Sequence, residues 1–292
     1  MTVRRPILRA QDMVFTLFGD ALLRREEPVR AGALVTLLGR LGMRPMAVRT
    51  TLSRMTRRGW LAVERDGPRS YYGLTRRARR LLEEGRERIY HPPREEPWDG
   101  AWTLITYSVP ESRRRRRDSF RDRLTWLGCG MVTSGLWITP HDIRREVARL
   151  AAELGIAKNV EVFRAEHVSG SEQRALIARS WDLAALDARY AAFVRRWRPI
   201  AARDARPGAR PEPADCFVRR FALVHEWRTF PLVDPYLPAP LLPAGWHGRT
   251  AAKLFDRYHA FLSAPAERWV RAVCDAGDAG RRTTPRALRA AG

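Results

Sequence analysis

The chain of 292 residues carries 54 Lys and Arg against 32 Asp and Glu, a formal net charge of +22, and 45% of its residues are hydrophobic. That apolar content supports real cores and excludes a wholly disordered chain. A charge of that size points to a polyanionic partner, nucleic acid first. Every basic residue except Lys158 and Lys253 is Arg, which speaks to residue type and not to the excess over acids. Three cysteines, Cys129, Cys216 and Cys274, are too few and too far apart for a disulfide framework or a metal knuckle. No apolar run of about 18 residues and no export segment at the start can be seen. The expectation is a soluble cytoplasmic protein with no membrane partner.

Two proline-rich breaks, HPPREEPWDG at 91–100 and ARPGARPEPAD at 205–215, punctuate the chain. The first reads as a domain linker and the second as a surface loop inside a helical region. Together with a change from strand-like to helix-like sequence near Gly170, they divide the chain into 1–92, 98–170, 171–276 and a flexible tail at 277–292.

Before the first break the pattern is three helices, a hairpin and a helix. QDMVFTLFGDALL sets Val14, Leu17, Phe18 and Leu22 on one helical face, and AGALVTLLGRLGM does the same with Leu34, Leu37, Leu38 and Leu41. Gly42 suits the turn that follows. The third helix lies in RPMAVRTTLSRMTRRGW, with Pro45 in its first turn and Gly59 at its end. WLAVERDGPRSYYGLT alternates around a turn at Asp66 and Gly67, with Leu61 and Val63 before it and Tyr72 and Leu74 after it, and predicts a β-hairpin.

At about 100° per residue, Val48, Leu52 and Met55 form a narrow apolar stripe on the third helix. The opposite side holds Met46, Thr50, Ser53, Arg54 and Arg57, flanked by Arg49 and Arg58, with Arg44 at the helix start. Such a face suits a major groove, where Arg addresses guanine and Thr, Ser or Met reach phosphates, bases or thymine methyls. Taken alone it is also what a solvated arginine-rich helix looks like. Its context is a short helix before it and, after it, a hairpin whose tip region carries Arg65 and Arg69. That order is a winged helix-turn-helix, with Arg58 assigned to backbone or solvent.

Residues 101–168 read as β, α, β, α, β, compatible with a ferredoxin-like unit whose remaining strand is hard to see. Arg113–Arg117 form a run that wraps more than one helical turn, so most of it is solvated face, the alternative being supplementary phosphate contacts. In LVHEW, His225 and Glu226 suggest a zinc protease helix, but position 229 is Thr229 and the second histidine is missing. His225 is then either a structural hydrogen-bonder or part of a ligand pocket, with Arg228 beside it. Trp126, Trp137, Trp181, Trp227, Phe230 and Trp246 read first as core aromatics. No phosphate-cradling glycine loop or nucleophile elbow occurs, and the chain is not read as an enzyme.

Several segments in order resemble the PaaX family of transcriptional repressors: FTLFGDALL, AVRTTLSRMTRRGWL, GPRSYYGLT, WTLITYSVPE, SGLWITP, SWDLAALDARY and RRFALVHEWRTFPLVDPYLPAPLLPAGWHG. The resemblance spans nearly the whole chain. It implies an α+β, multidomain, dimeric regulator: an N-terminal winged helix-turn-helix, a middle ferredoxin-like domain and a mainly helical C-terminal domain. It further implies binding to a double-stranded DNA operator and release by an aryl-CoA thioester such as phenylacetyl-CoA, with no cofactor. The effector pocket is expected where the middle and C-terminal domains meet, with His225 and Arg228 as its candidates. The middle segment also resembles the CRISPR-associated ferredoxin-like nucleases, whose metal-binding Asp follows the first strand. Here that stretch is Tyr107, Ser108, Val109 and Pro110, and serine offers no carboxylate to a hard cation. Two other readings stay open: a nucleic-acid-processing enzyme using this domain, and a DNA-binding assembly protein without an effector.

Overall fold

The computed structural model describes residues 10–91, 97–167 and 173–278. Beyond Asp278 the tail expected at 277–292 lies outside them. The fold is α+β and multidomain, with two antiparallel sheets. Two compact units each draw on separate stretches of chain. The first takes the described residues up to His91, Arg203–Trp227 and those from Asp256 onward. The second takes the described residues between His91 and Arg203, together with Arg228–Phe255.

The first unit begins with α1 (Ala10–Leu17), whose helix continues into a π-helical turn at Phe18–Leu22. There follow β1 (Val29–Arg30), α2 (Ala31–Arg40), α3 (Pro45–Arg57), the hairpin β2 (Leu61–Asp66) and β3 (Arg69–Leu74), and α4 (Arg76–Tyr90). Strand order is β1-β3-β2. The apolar stripes of the three helices converge: Val14, Leu17, Leu34, Leu37, Leu38, Val48, Leu52 and Met55 are fully buried. Burying one such side chain stabilises by roughly 1.5–3 kcal/mol, enough for helices too short to persist alone.

Local pattern misplaces parts of the hairpin. Asp66 pairs with Arg69, so the turn is Gly67–Pro68, one residue later than the pattern predicts. Val63 pairs with Tyr72 towards the tip and is exposed, whereas Leu61 and Leu74 at the base, and Tyr71 on the opposite face, are buried. Tyr71 is one step nearer the tip than Tyr72 and still buried, so the hairpin buries one face at its base and the opposite face beyond it, and alternation alone selects the wrong middle positions. Strand β1 is absent from the sequence reading because two residues carry no period; it forms by pairing Val29 with Tyr72 and Arg30 with Tyr71.

Two long-sequence helices complete this unit: α9 (Pro213–Trp227) and the later part of α10 (Gly248–Asp278). The stretch 205–215 connects α9 to α8 (Leu183–Asp204). A buried polar centre ties these elements together. Arg220 of α9 donates from Nη2 to Asp20 Oδ1 at 2.9 Å and from Nε to Oδ2 at 3.0 Å, and from Nη1 to Glu267 Oε1 at 2.8 Å. Tyr90 donates to Asp20 Oδ1 at 2.7 Å, and His259 Nε2 lies 3.6 Å from the same oxygen. Burial would raise the Asp20 carboxyl, but the neighbouring His259 ring and the charge and bonds of Arg220 hold it down at about 2. Burial, reinforced by Asp20, pushes the Tyr90 hydroxyl up, so it remains a donor.

The second unit contains β4 (Ala101–Tyr107), α5 (Arg114–Trp126), β5 (Gly130–Thr133), β6 (Leu136–Thr139), α6 (Arg144–Glu153), β7 (Val160–Glu166), α7 (Gln173–Ser180) and most of α8. MVTSGLWITP, expected as one strand, is divided between β5 and β6 about a turn at Ser134 and Gly135. The order is therefore β, α, β, β, α, β, in a sheet arranged β5-β6-β4-β7 with every pairing antiparallel. Alternation on β4 serves two cores. Ile105 joins Phe120, Leu124, Trp137, Val147 and Leu150 under α5 and α6. Trp102 joins Ile138, Ile177, Leu183, Leu237 and Leu241 on the other face.

Candidate nucleic-acid interface

The position of α3 follows from local chemistry at both ends. Arg44, with extended backbone, precedes Pro45 in the first turn, where the missing N–H costs nothing. Gly42 (φ +92°) and Gly59 (φ +70°) occupy the left-handed region on either side, which only glycine enters without strain. Between them Val48, Leu52 and Met55 are 0% exposed. Thr51, which sequence reasoning passed over, is also buried and donates its hydroxyl to the Ala47 carbonyl at 2.7 Å.

The far side is open. Met46 is 70% exposed, and Arg44, Arg49, Thr50, Ser53, Arg54 and Arg57 are all exposed. No acidic residue occurs in α3. None of these arginines forms an ion pair with another described residue, so their donors are available to an incoming anion. Arg58 departs from the set: its Nη1 donates to Gln11 Oε1 on α1 at 3.1 Å. On the hairpin, Arg65 is exposed and Arg69 half-buried, one on each strand beside the Gly67–Pro68 turn.

A further basic group was missed. Thr75 caps α4 by accepting from the Ala78 amide at 3.3 Å, and its hydroxyl donates to the Gly59 carbonyl at 2.8 Å. These bonds set the first turn of α4, with exposed Arg76 and Arg77, beside the C-terminal end of α3. Arg77 lies over the Trp60 ring at 4.3 Å. Its signal in the sequence is the run TRRARR directly after the hairpin, a capping Thr followed by arginines.

The Arg113–Arg117 run is differently engaged. Arg117 pairs with Glu111 at 2.8 Å, Arg114 with Glu111 at 3.6 Å and Asp118 at 3.7 Å, and Arg113 and Arg116 donate to the Gly155 carbonyl at 3.5 Å. At the end of β4, Ser108 exchanges hydrogen bonds with Asn159, N to O at 2.9 Å and Nδ2 to O at 2.9 Å. Among the described residues no group of three or more His, Cys, Asp or Glu is placed to hold a metal ion.

His225 and Arg228 fall in different units. In the first, His225 Nδ1 lies 2.7 Å from the Thr16 hydroxyl and its ring stacks on Phe221 at 5.5 Å. Arg228 belongs to the second. Of the aromatics expected in cores, Trp137, Trp227 and Phe230 are buried and Trp181 and Trp246 half-buried, but Trp126 is 43% exposed, with Arg123 over its ring.

Family comparisons cover the same ground. Residues 9–78 match the family model described as PaaX-like protein, 95–177 the PaaX protein central Cas2-like domain, and 181–272 the PaaX-like protein C-terminal domain. The Transcriptional repressor PaaX of Escherichia coli (strain K12) is 34% identical over 248 residues, 83% of this chain and 77% of that protein. The chain belongs to the PaaX family. A solved structure, the uncharacterized protein Rv0674 from Mycobacterium tuberculosis, matches this PaaX-family chain with a TM-score of 0.58 and 25% identity, over 91% of this chain and 99% of its own. No described helix is long and apolar enough to cross a membrane.

Proposed function

We propose that this PaaX-family protein is a DNA-binding transcriptional repressor that reads its operator with the outer face of α3. The observation that carries this is the acid-free, exposed face of Met46, Arg49, Thr50, Ser53, Arg54 and Arg57 on a helix locked from behind by Val48, Leu52 and Met55. In this reading residues 1–92 form a winged helix-turn-helix with β2 and β3 as the wing. Arg65 and Arg69 touch backbone phosphates, while Arg44 and Arg76 supplement them and Arg58 braces α1. The order and pairing of β4 to β7 support a ferredoxin-like middle domain at 98–170, followed by a helical domain at 171–276.

The family relationship supports the remaining parts of the reading. A homodimer would present two α3 helices to an inverted repeat in an operator controlling aromatic-acid catabolism of the phenylacetate type. An aryl-CoA thioester would bind the DNA-incompetent arrangement more tightly and draw the population towards it. The deciding experiment maps the operator by sequencing DNA bound in cells, then measures its affinity for wild type and Arg49→Ala/Arg54→Ala. Loss of specific binding with retention of weak, salt-sensitive general binding is expected; equal specific binding by both proteins sinks the assignment of α3.

A further inference from the structure

The second unit contains a cavity of about 750 Å³ between α8 and the chain at 239–250. One wall is a single stripe of α8, Ala191, Val194, Arg195 and Arg198, at the spacing that puts residues on one helical face. The other wall is Trp246, His247 and Arg249, at the start of α10. Three guanidinium groups therefore border one concave space, with Val194 and Leu242 as apolar lining.

The walls are fixed and not merely adjacent. Asp187 accepts from the His247 amide at 2.7 Å and from its ring Nδ1 at 2.9 Å, holding the turn into α10. Trp246 meets Tyr190 edge-to-face at 5.6 Å. Residue 248 is glycine because a Cβ there would collide with the Trp246 indole. Asp187, one turn before this stripe on α8, is thus committed to His247, while exposed Arg195 and Arg198 have no acidic partner among the described residues. Elsewhere in this unit arginines such as Arg117, Arg144 and Arg149 each meet a carboxylate. Arg195 and Arg198, neighbours on one helical face with no carboxylate between them, repel one another, and an anion of matching shape relieves that.

We propose that this cavity binds an organic phosphate or pyrophosphate ester, with Arg195, Arg198 and Arg249 on the phosphates and the Trp246 face against a planar or apolar portion of the ligand. The volume suits a ligand larger than phosphate alone and far smaller than a duplex. Calling this ligand the effector rests on the repressor reading above; binding itself does not. The site replaces His225 and Arg228 as the place to look for that ligand.

Calorimetric titration of the full chain with coenzyme A, adenosine diphosphate and inorganic pyrophosphate tests it. Wild type is expected to bind at least one of the three, and Arg195→Glu/Arg198→Glu to bind it at least tenfold more weakly with an unchanged melting temperature. Trp246→Leu should weaken the adenine-bearing probes and leave pyrophosphate as in wild type. Equal binding by wild type and the Arg variant, or no binding of any probe by wild type, overturns the site. Operator affinity without probe should be the same in wild type and the Arg variant; a loss there overturns the proposal by assigning these arginines to DNA. Failure of wild type to bind any operator DNA strikes the repressor reading instead, and is read in a separate arm.

Discussion

Helices α3 and α5 are each 13 residues long and rich in arginine, yet they differ in what surrounds that charge. On α5 four of the run's five arginines, all but Arg115, are answered within their own unit: Glu111 and Asp118 take Arg114 and Arg117, and the Gly155 carbonyl takes Arg113 and Arg116. On α3 no acid lies within the helix, and the exposed arginines share their face with Thr50, Ser53 and Met46. Arginine count therefore does not mark an interface. What marks it is charge left unanswered on a helix whose opposite side is anchored, because only then are donors both free and held in position.

Arg220 is the limiting case of an answered arginine, and its loss should have the largest effect. Arg220→Met leaves Asp20 charged and buried, and thermal or denaturant unfolding should show about 3–5 kcal/mol of destabilisation. A change under about 1 kcal/mol would mean that the buried centre does not hold α9 to the first helix. Next in size, Arg49→Ala/Arg54→Ala should cost specific operator affinity about 1–3 kcal/mol per residue, measured by band shift on the mapped site.

Acid titration sharpens the same contrast. The Asp20 carboxyl sits at about 2 in the fold, below the ordinary carboxylate value, so its contribution is present above about pH 4 and is lost as pH falls towards 2. About 2 kcal/mol should disappear over that window, and Arg220→Met should flatten the profile there. Arg69→Ala should weaken all DNA sequences alike and lower the salt dependence of binding by about one counterion, without altering base preference. The smallest effect is expected from Arg114→Ala/Arg115→Ala/Arg117→Ala on α5, which should change operator affinity less than about twofold. A loss matching that of the α3 variant would erase the distinction between the two helices.

Much of the candidate interface is legible locally. The stripe of Val48, Leu52 and Met55, the proline at the start and the glycine at the end are all set by helix geometry within a few residues. Arg76 and Arg77 are legible too, in the run of arginines directly behind the capping Thr75. By contrast, β5 and β6 read as one strand because four-residue segments joined by a two-residue turn leave a continuous apolar pattern. The π-helical turn at Phe18–Leu22 gives no signal, since a single widened turn leaves no repeat for a periodicity to show. Asp20 and Arg220 are 200 positions apart, and no periodicity links residues at that distance.

By itself the sequence determined the charge, the segments, the amphipathic faces and the family, because composition and helical period are properties of neighbouring residues. Tertiary structure alone decided which arginines are answered and which are not, since a counter-charge is a matter of distance in space. It also decided that the chain after Ala202 divides its residues between two units, and that Arg195 and Arg198 face Trp246 across a cavity. Burial and electrostatic pairing act between residues that the chain keeps far apart, and only folding brings them to one place.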